Sequence, residues 1–103
     1  MRIIAKKTLV IFYQENASSK KHLEAWFKEA EDSNWEKPED VINDYPFADV
    51  ITGKRFVFNI KGNDFRLIAD IEFRLKIVFI VWIGTHAAYD KINVKEIKYV
   101  KAH

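Results

Sequence analysis

The stretch KRFVFNIKGNDFRLIADIEF, residues 54–73, decides the fold. Residues 54–60 alternate and are rich in aromatic and β-branched side chains, which predicts a strand. Lys61-Gly62-Asn63-Asp64 is a turn. Residues 65–73 then place Phe65, Leu67, Ala69, Ile71 and Phe73 on one face of a second strand, with Arg66, Ile68, Asp70 and Glu72 on the other. Arg74-Leu75-Lys76 turns the chain again, and the apolar run IVFIVWI (77–83) returns as a buried strand. Consecutive strands joined by tight turns predict an antiparallel meander.

Toward the N-terminus the period changes. Residues 2–5 suit a short first strand, and residues 7–16 a helix with Leu9, Phe12 and Tyr13 on one side. Ser18 or Ser19 is a candidate N-cap for a second helix, in which Leu23, Trp26, Phe27 and Ala30 recur at i, i+3, i+4 and i+7. Pro38 is suited to the first position of a short helix, PEDVIND, with Glu39 and Asp40 at its positive end, and Pro46 ends it. Helices first and strands after predict an α+β fold, with N-terminal helices packed on one face of a small, mainly antiparallel sheet. With no repeat, low-complexity tract or linker, residues 1–103 are expected to form one domain. The last ten residues suit a strand or a short helix.

Charge and composition exclude several classes. The chain has no cysteine, so disulfide, thiolate-metal and thiol-nucleophile chemistry are out. The start, MRIIAKKTLVIFYQ, lacks a small-residue cleavage site, and the longest apolar run is seven residues where a membrane helix needs about 20. A cytoplasmic protein without membrane contact is expected. The net charge of +2 divides into +4 over residues 1–28, −7 over 29–50 and +5 over 51–103. A basic sheet half attracts a polyanion and an acidic belt orients it, although both are also compatible with an ordinary solvated surface. His22, His86 and His103 are too dispersed for a zinc site, no glycine-rich phosphate loop is present, and neither a metal nor another cofactor is expected.

What remains is a basic and aromatic set around the strands: Lys54, Arg55, Asn59, Lys61, Arg66, Arg74, Lys76, His86, Tyr89 and Lys91. It contains the parts for metal-independent RNA cleavage. In that reaction the ribose 2′-OH attacks the adjacent phosphorus. A base takes the hydroxyl proton, cations stabilise the phosphorane charge, and an acid protonates the leaving 5′-oxygen. His titrates near neutrality, Arg grips two phosphate oxygens, and Tyr stacks on a base or donates its hydroxyl. His86, Tyr89 and Asp90 would meet on one helical turn capped by Thr85. Plainer roles compete. A lone His at a strand end more often hydrogen-bonds backbone, Arg66 has Asp70 and Glu72 on its own face as partners, and Tyr89 suits an amphipathic edge.

Three motifs in order resemble the HigB family of bacterial type II toxins, within the RelE-like messenger-RNA endoribonucleases. They are Arg55-Phe56-Val57-Phe58-Asn59 followed by Gly62-Asn63, the R-L-I-A strand from Arg66, and Gly84-Thr85-His86-Ala87-Ala88-Tyr89-Asp90-Lys91-Ile92. Residues 3–9 and 35–40 also fit. The resemblance implies a RelE-like fold and cleavage of mRNA at the ribosome. It also implies neutralisation by a HigA-type helix-turn-helix antitoxin, through which alone operator DNA would be contacted. It makes His86 and Tyr89 candidates for proton transfer or base stacking, and Arg66 and Lys54 candidates for phosphate charge. Lys54, Arg55, Lys61, Arg74 and Lys91 become candidate RNA contacts. Many relatives carry an Arg three residues before the Gly of G-T-H, where this chain has Val81, so Arg66 or Arg74 would have to supply that charge. A module of the same fold that binds RNA, ribosome or antitoxin without cutting is the alternative.

Overall fold

The computed structural model describes residues 1–99. The elements in chain order are β1 (Arg2–Ile4), α1 (Lys6–Glu15), a 3-10 turn (Ala17–Ser19), α2 (Lys20–Asp32) and α3 (Pro38–Asp44). They are followed by β2 (Asp49–Val50), β3 (Arg55–Ile60), β4 (Phe65–Glu72), β5 (Ile77–Thr85) and α4 (His86–Tyr89). The sheet order is β1-β5-β4-β3-β2; β1 joins β5 in parallel and every other pair is antiparallel. The architecture is the expected α+β one, with the 54–73 hairpin paired Arg55 to Asp70 through Ile60 to Phe65. Its turn holds Lys61 and Gly62 at φ of 53° and 62°, a left-handed region that glycine enters without steric cost.

Several local expectations are corrected. Ser19 precedes α2, but its hydroxyl donates to the Asn16 carbonyl instead of capping the helix, because the 3-10 turn already leads the chain in. A two-residue strand, β2, escapes the period-two signal because it is too short to alternate. β5 extends beyond Ile83 to Thr85. Residues 94–99 form neither strand nor helix, and residues 100–103, including His103, lie outside the described residues.

Helices cover one face of the sheet. Leu23, Trp26 and Ala30 of α2 and Leu9 of α1 bury against Phe56, Phe58, Leu67, Ala69, Ile71, Val78 and Ile80. Trp26 meets Phe58 edge to face at 5.3 Å, and Tyr45 meets the same ring at 5.2 Å. The acidic segment is anchored at its ends. Asp44 accepts from the Trp35 indole, and Tyr45 donates to Glu29. Burial, then that carboxylate, pushes the Tyr45 phenol up and keeps it protonated.

The opposite face has its own core. Between Ile68–Trp82 and Ala69–Ile80 the register slips, leaving Val81 as an extra residue in β5. This bulge sends both Val81 and Trp82 to the second face, where Val81 buries with Val57 and Ile68. Ile92, Val94 and Ile97 close over them. The C-terminal segment is held there by Arg55, which donates to the carbonyls of Val94, Lys95 and Ile97 and pairs through Nε and Nη2 with both oxygens of Asp70 at 2.7 and 2.8 Å.

Arg55→Ala strands Asp70 beneath that segment and is expected to cost about 3 kcal/mol. Arg55→Lys should not restore it, since an ammonium lacks the fork that serves a carboxylate and carbonyls together. Denaturant melts together with proteolysis near residues 92–99 check this. Arg55→Ala with wild-type stability and protection would contradict the fastening role.

Candidate active site

The second face stays uncovered at one end, where Asn59, Arg66 and Gly84 stand side by side on β3, β4 and β5. Gly84 is buried, and a Cβ added to it would run into the outer ring of the Trp82 indole, so glycine here is a condition for that ring to lie flat across the strand. The Trp82 ring meets Tyr89 at 6.2 Å.

β5 delivers the chain directly into α4. The Thr85 hydroxyl accepts the Ala88 N–H at 3.1 Å and caps the turn, as its position before His86 suggests. The His86 N–H donates to the Asp64 carbonyl, tying α4 to the β3–β4 turn. His86 Nε2 lies 3.5 Å from Asp90, and the Arg66 guanidinium lies 5.9 Å from the centre of the Tyr89 ring. Burial first, then the Asp49 and Asp90 charges, push the Tyr89 phenol above its usual 10.0, with Arg66 opposing. The Tyr89 phenol therefore keeps its proton at neutral pH.

Arg66 does not pair with Asp70 or Glu72. Those carboxylates are taken by Arg55 and Lys54, the latter at 3.9 Å. Arg66 makes only long contacts, at 3.4 to 3.5 Å, with the Asn63 side chain and the Asn63 and Phe65 carbonyls. Asn63 orients the guanidinium, a role that sequence reasoning missed. Among the described residues no acidic side chain neutralises Arg66.

The remaining candidates separate. Lys61 stands in the turn beside Asp64, at 3.4 Å, and exposed Lys91 follows α4; both lie toward the Arg66 end. Lys54, Arg55 and Arg74 belong to the other end of the hairpin. The strand from Arg66 to Glu72 alone spans roughly 20 Å at ~3.3 Å per residue, and Arg74 lies in the turn beyond it. Among the described residues no three His, Asp or Glu side chains gather to hold a metal ion.

A small α+β sheet with an unneutralised arginine, a phenol and an imidazole at one end defines a protein equipped to hold an anion against an aromatic ring. The family model of the HigB toxin, the RelE-like toxic component of a toxin-antitoxin system, matches residues 19–92. The chain belongs to that family: it is a toxin of a toxin–antitoxin system, and its partner is an antitoxin. The matched span includes Arg66, His86 and Tyr89 and leaves β1 and α1 outside. Among curated proteins none matches the chain. Among the described residues no helix is long and apolar enough to cross a membrane.

Two outcomes test this geometry. The difference in phenolate absorbance between the wild type and Tyr89→Phe should titrate above pH 10 in the folded protein and near 10 after denaturation; coincident curves would remove the burial argument. Gly84→Ala should destabilise by about 1–3 kcal/mol as the Trp82 ring is displaced, with an altered tryptophan emission. An unchanged melt and spectrum would contradict the close approach.

Proposed function

We propose that the chain is a metal-independent endoribonuclease that cuts ribosome-bound mRNA in the cytoplasm and is neutralised by a HigA-type helix-turn-helix antitoxin. The observation that carries the reading is Arg66: an arginine with no carboxylate partner among the described residues, next to a phenol kept protonated and an imidazole on the same helical turn. Arg66 holds the scissile phosphate through paired N–H donors. His86 takes the 2′-OH proton as that oxygen attacks phosphorus. Tyr89 gives its proton to the departing 5′-oxygen or stacks on the neighbouring base. Bond breaking leaves a 2′,3′-cyclic phosphate and a free 5′-OH. Lys61 and Lys91 add cationic charge along the RNA path, and Lys54 and Arg74 contact more distant phosphates. Arg55, committed to Asp70 and the C-terminal carbonyls, acts through the fold and not through the RNA.

A second reading, RNA or ribosome binding without cleavage, is favoured by one residue. Val81 is 6% exposed inside an apolar cluster, so no cation stands at that point of β5.

Expression should arrest growth, and co-expression of a helix-turn-helix protein encoded beside this gene should relieve it. Arg66→Ala should slow cleavage by about 10²–10³-fold, the scale of a lost charge-stabilising donor. His86→Ala should slow it by about 10²–10⁴-fold. Mapped mRNA ends in a translating extract measure both. Intact mRNA together with undiminished toxicity of the two variants would refute the enzyme reading. Salt-sensitive RNA binding without cut ends would select the second one.

A further inference from the structure

A cavity of about 490 Å³ lies on the outer side of β3, lined by Asp44, Tyr45, Phe47, Phe58, Asn59 and Asn63 among others. It occupies the gap left because β2 pairs only with Phe56 and Val57 and stops short of the rest of the strand. Three features set it apart from an ordinary surface dent. Phe47 is 83% exposed, the most exposed large apolar side chain among the described residues. A free aromatic ring in water is costly to leave uncovered and offers a π-face to a planar partner. The Asn59 carboxamide, across from Arg66 in the β3–β4 pairing, has no hydrogen-bond partner among the described residues. Asn63 is shared: it lines the cavity and its side-chain oxygen accepts from Arg66. A phosphate held by Arg66 therefore has this cavity next to it.

We infer that the cavity receives an unpaired nucleobase of the bound RNA, stacked on Phe47 and read along its edge by Asn59. The inference rests on the proposed RNA cleavage and adds the subsite that selects the cut position. A base supplies what the cavity lacks. Its flat apolar face covers Phe47, while its edge presents donors and acceptors to a carboxamide that has one of each. It carries no charge of its own, so the adjoining Asp44 carboxylate, already bonded to the Trp35 indole, does not repel it. The volume is in the range of clefts that enclose small planar ligands.

The test uses the whole chain in a translating extract programmed with a messenger containing every codon, with cut ends mapped. The wild type should prefer particular bases at one fixed position beside the cut. Asn59→Ala should flatten that preference by about ten-fold. Phe47→Ala should raise KM by about five- to hundred-fold, the scale of one lost base stack, with a smaller effect on kcat, and Phe47→Trp should restore it. Phe47 is almost fully exposed, so its variants should melt as the wild type does. Cutting by the wild type with sites and KM unchanged in Phe47→Ala and Asn59→Ala overturns the base subsite and leaves the nuclease reading standing. So does a Phe47→Ala protein that cuts normally but loses antitoxin binding, which would assign the ring to the antitoxin. No cutting by the wild type overturns both readings.

Discussion

The Arg55 guanidinium is the fastening on which the second face of the sheet depends. A sheet whose two faces are both apolar must be covered twice, and α1 to α3 cover one side while only the short α4 reaches the other, through Tyr89. The other side is covered by a segment without regular structure, whose backbone carbonyls need donors once they leave water. The Arg55 Nη1 group serves three of those carbonyls with its two N–H bonds while Asp70 holds the other edge of the guanidinium. An apolar residue at 55 would bury as well but would leave both Asp70 and the carbonyls unserved.

This covering determines where chemistry is available. The C-terminal segment lies over Val57, Ile68 and Val81 and leaves Asn59 and Arg66, in the next row, uncovered by it. The bulge at Val81 contributes on both sides of that boundary. It places Val81 under the covering segment and Trp82 toward the open end, where the ring lies across Gly84 and braces Tyr89. The Arg66 guanidinium, 5.9 Å from the centre of the braced Tyr89 ring, is thereby in an aromatic setting and has no carboxylate to fix it among the described residues. A carboxylate partner would have fixed it equally well and cancelled its charge.

The meander, its turns and the Pro38 helix were legible in the sequence because each follows from local period and backbone chemistry over fewer than ten residues. The division of the cations was not. Lys54 and Arg66 belong to the same hairpin and look alike in sequence, yet cross-strand register sets Lys54 beside Glu72 and Arg55 beside Asp70, which leaves Arg66 without a carboxylate among the described residues. The fastening role of Arg55 depends on carbonyls roughly forty positions away, and backbone oxygens carry no sequence signature. Asn63 reads as a turn residue, and only the folded turn reveals that it also aims Arg66. Phe47 lies within the acidic belt of residues 29–50, and its exposure is evident only once α3 and β2 are in position.

Val81 shows how one position can decide where transition-state charge must come from. In this chain the side chain at 81 points into an apolar cluster closed by Ile92, Val94 and Ile97, where a guanidinium would be desolvated and, with Asp70 already committed to Arg55, unpaired. A cation there is incompatible with the covering segment as it is packed. Arg74 cannot compensate, because it stands past the far end of β4 and no bend in the strand brings it back. Arg66 is then the one arginine among the described residues with its guanidinium at the open end and free of a carboxylate, so in the proposed reaction the phosphorane charge falls on it, with lysines at a distance. In the proposed reaction, a single arginine at the phosphate makes the chain depend more on what else holds the substrate in place. On that reading a second, uncharged contact beside the phosphate has a physical reason, and the Phe47 cavity is where the proposal places it.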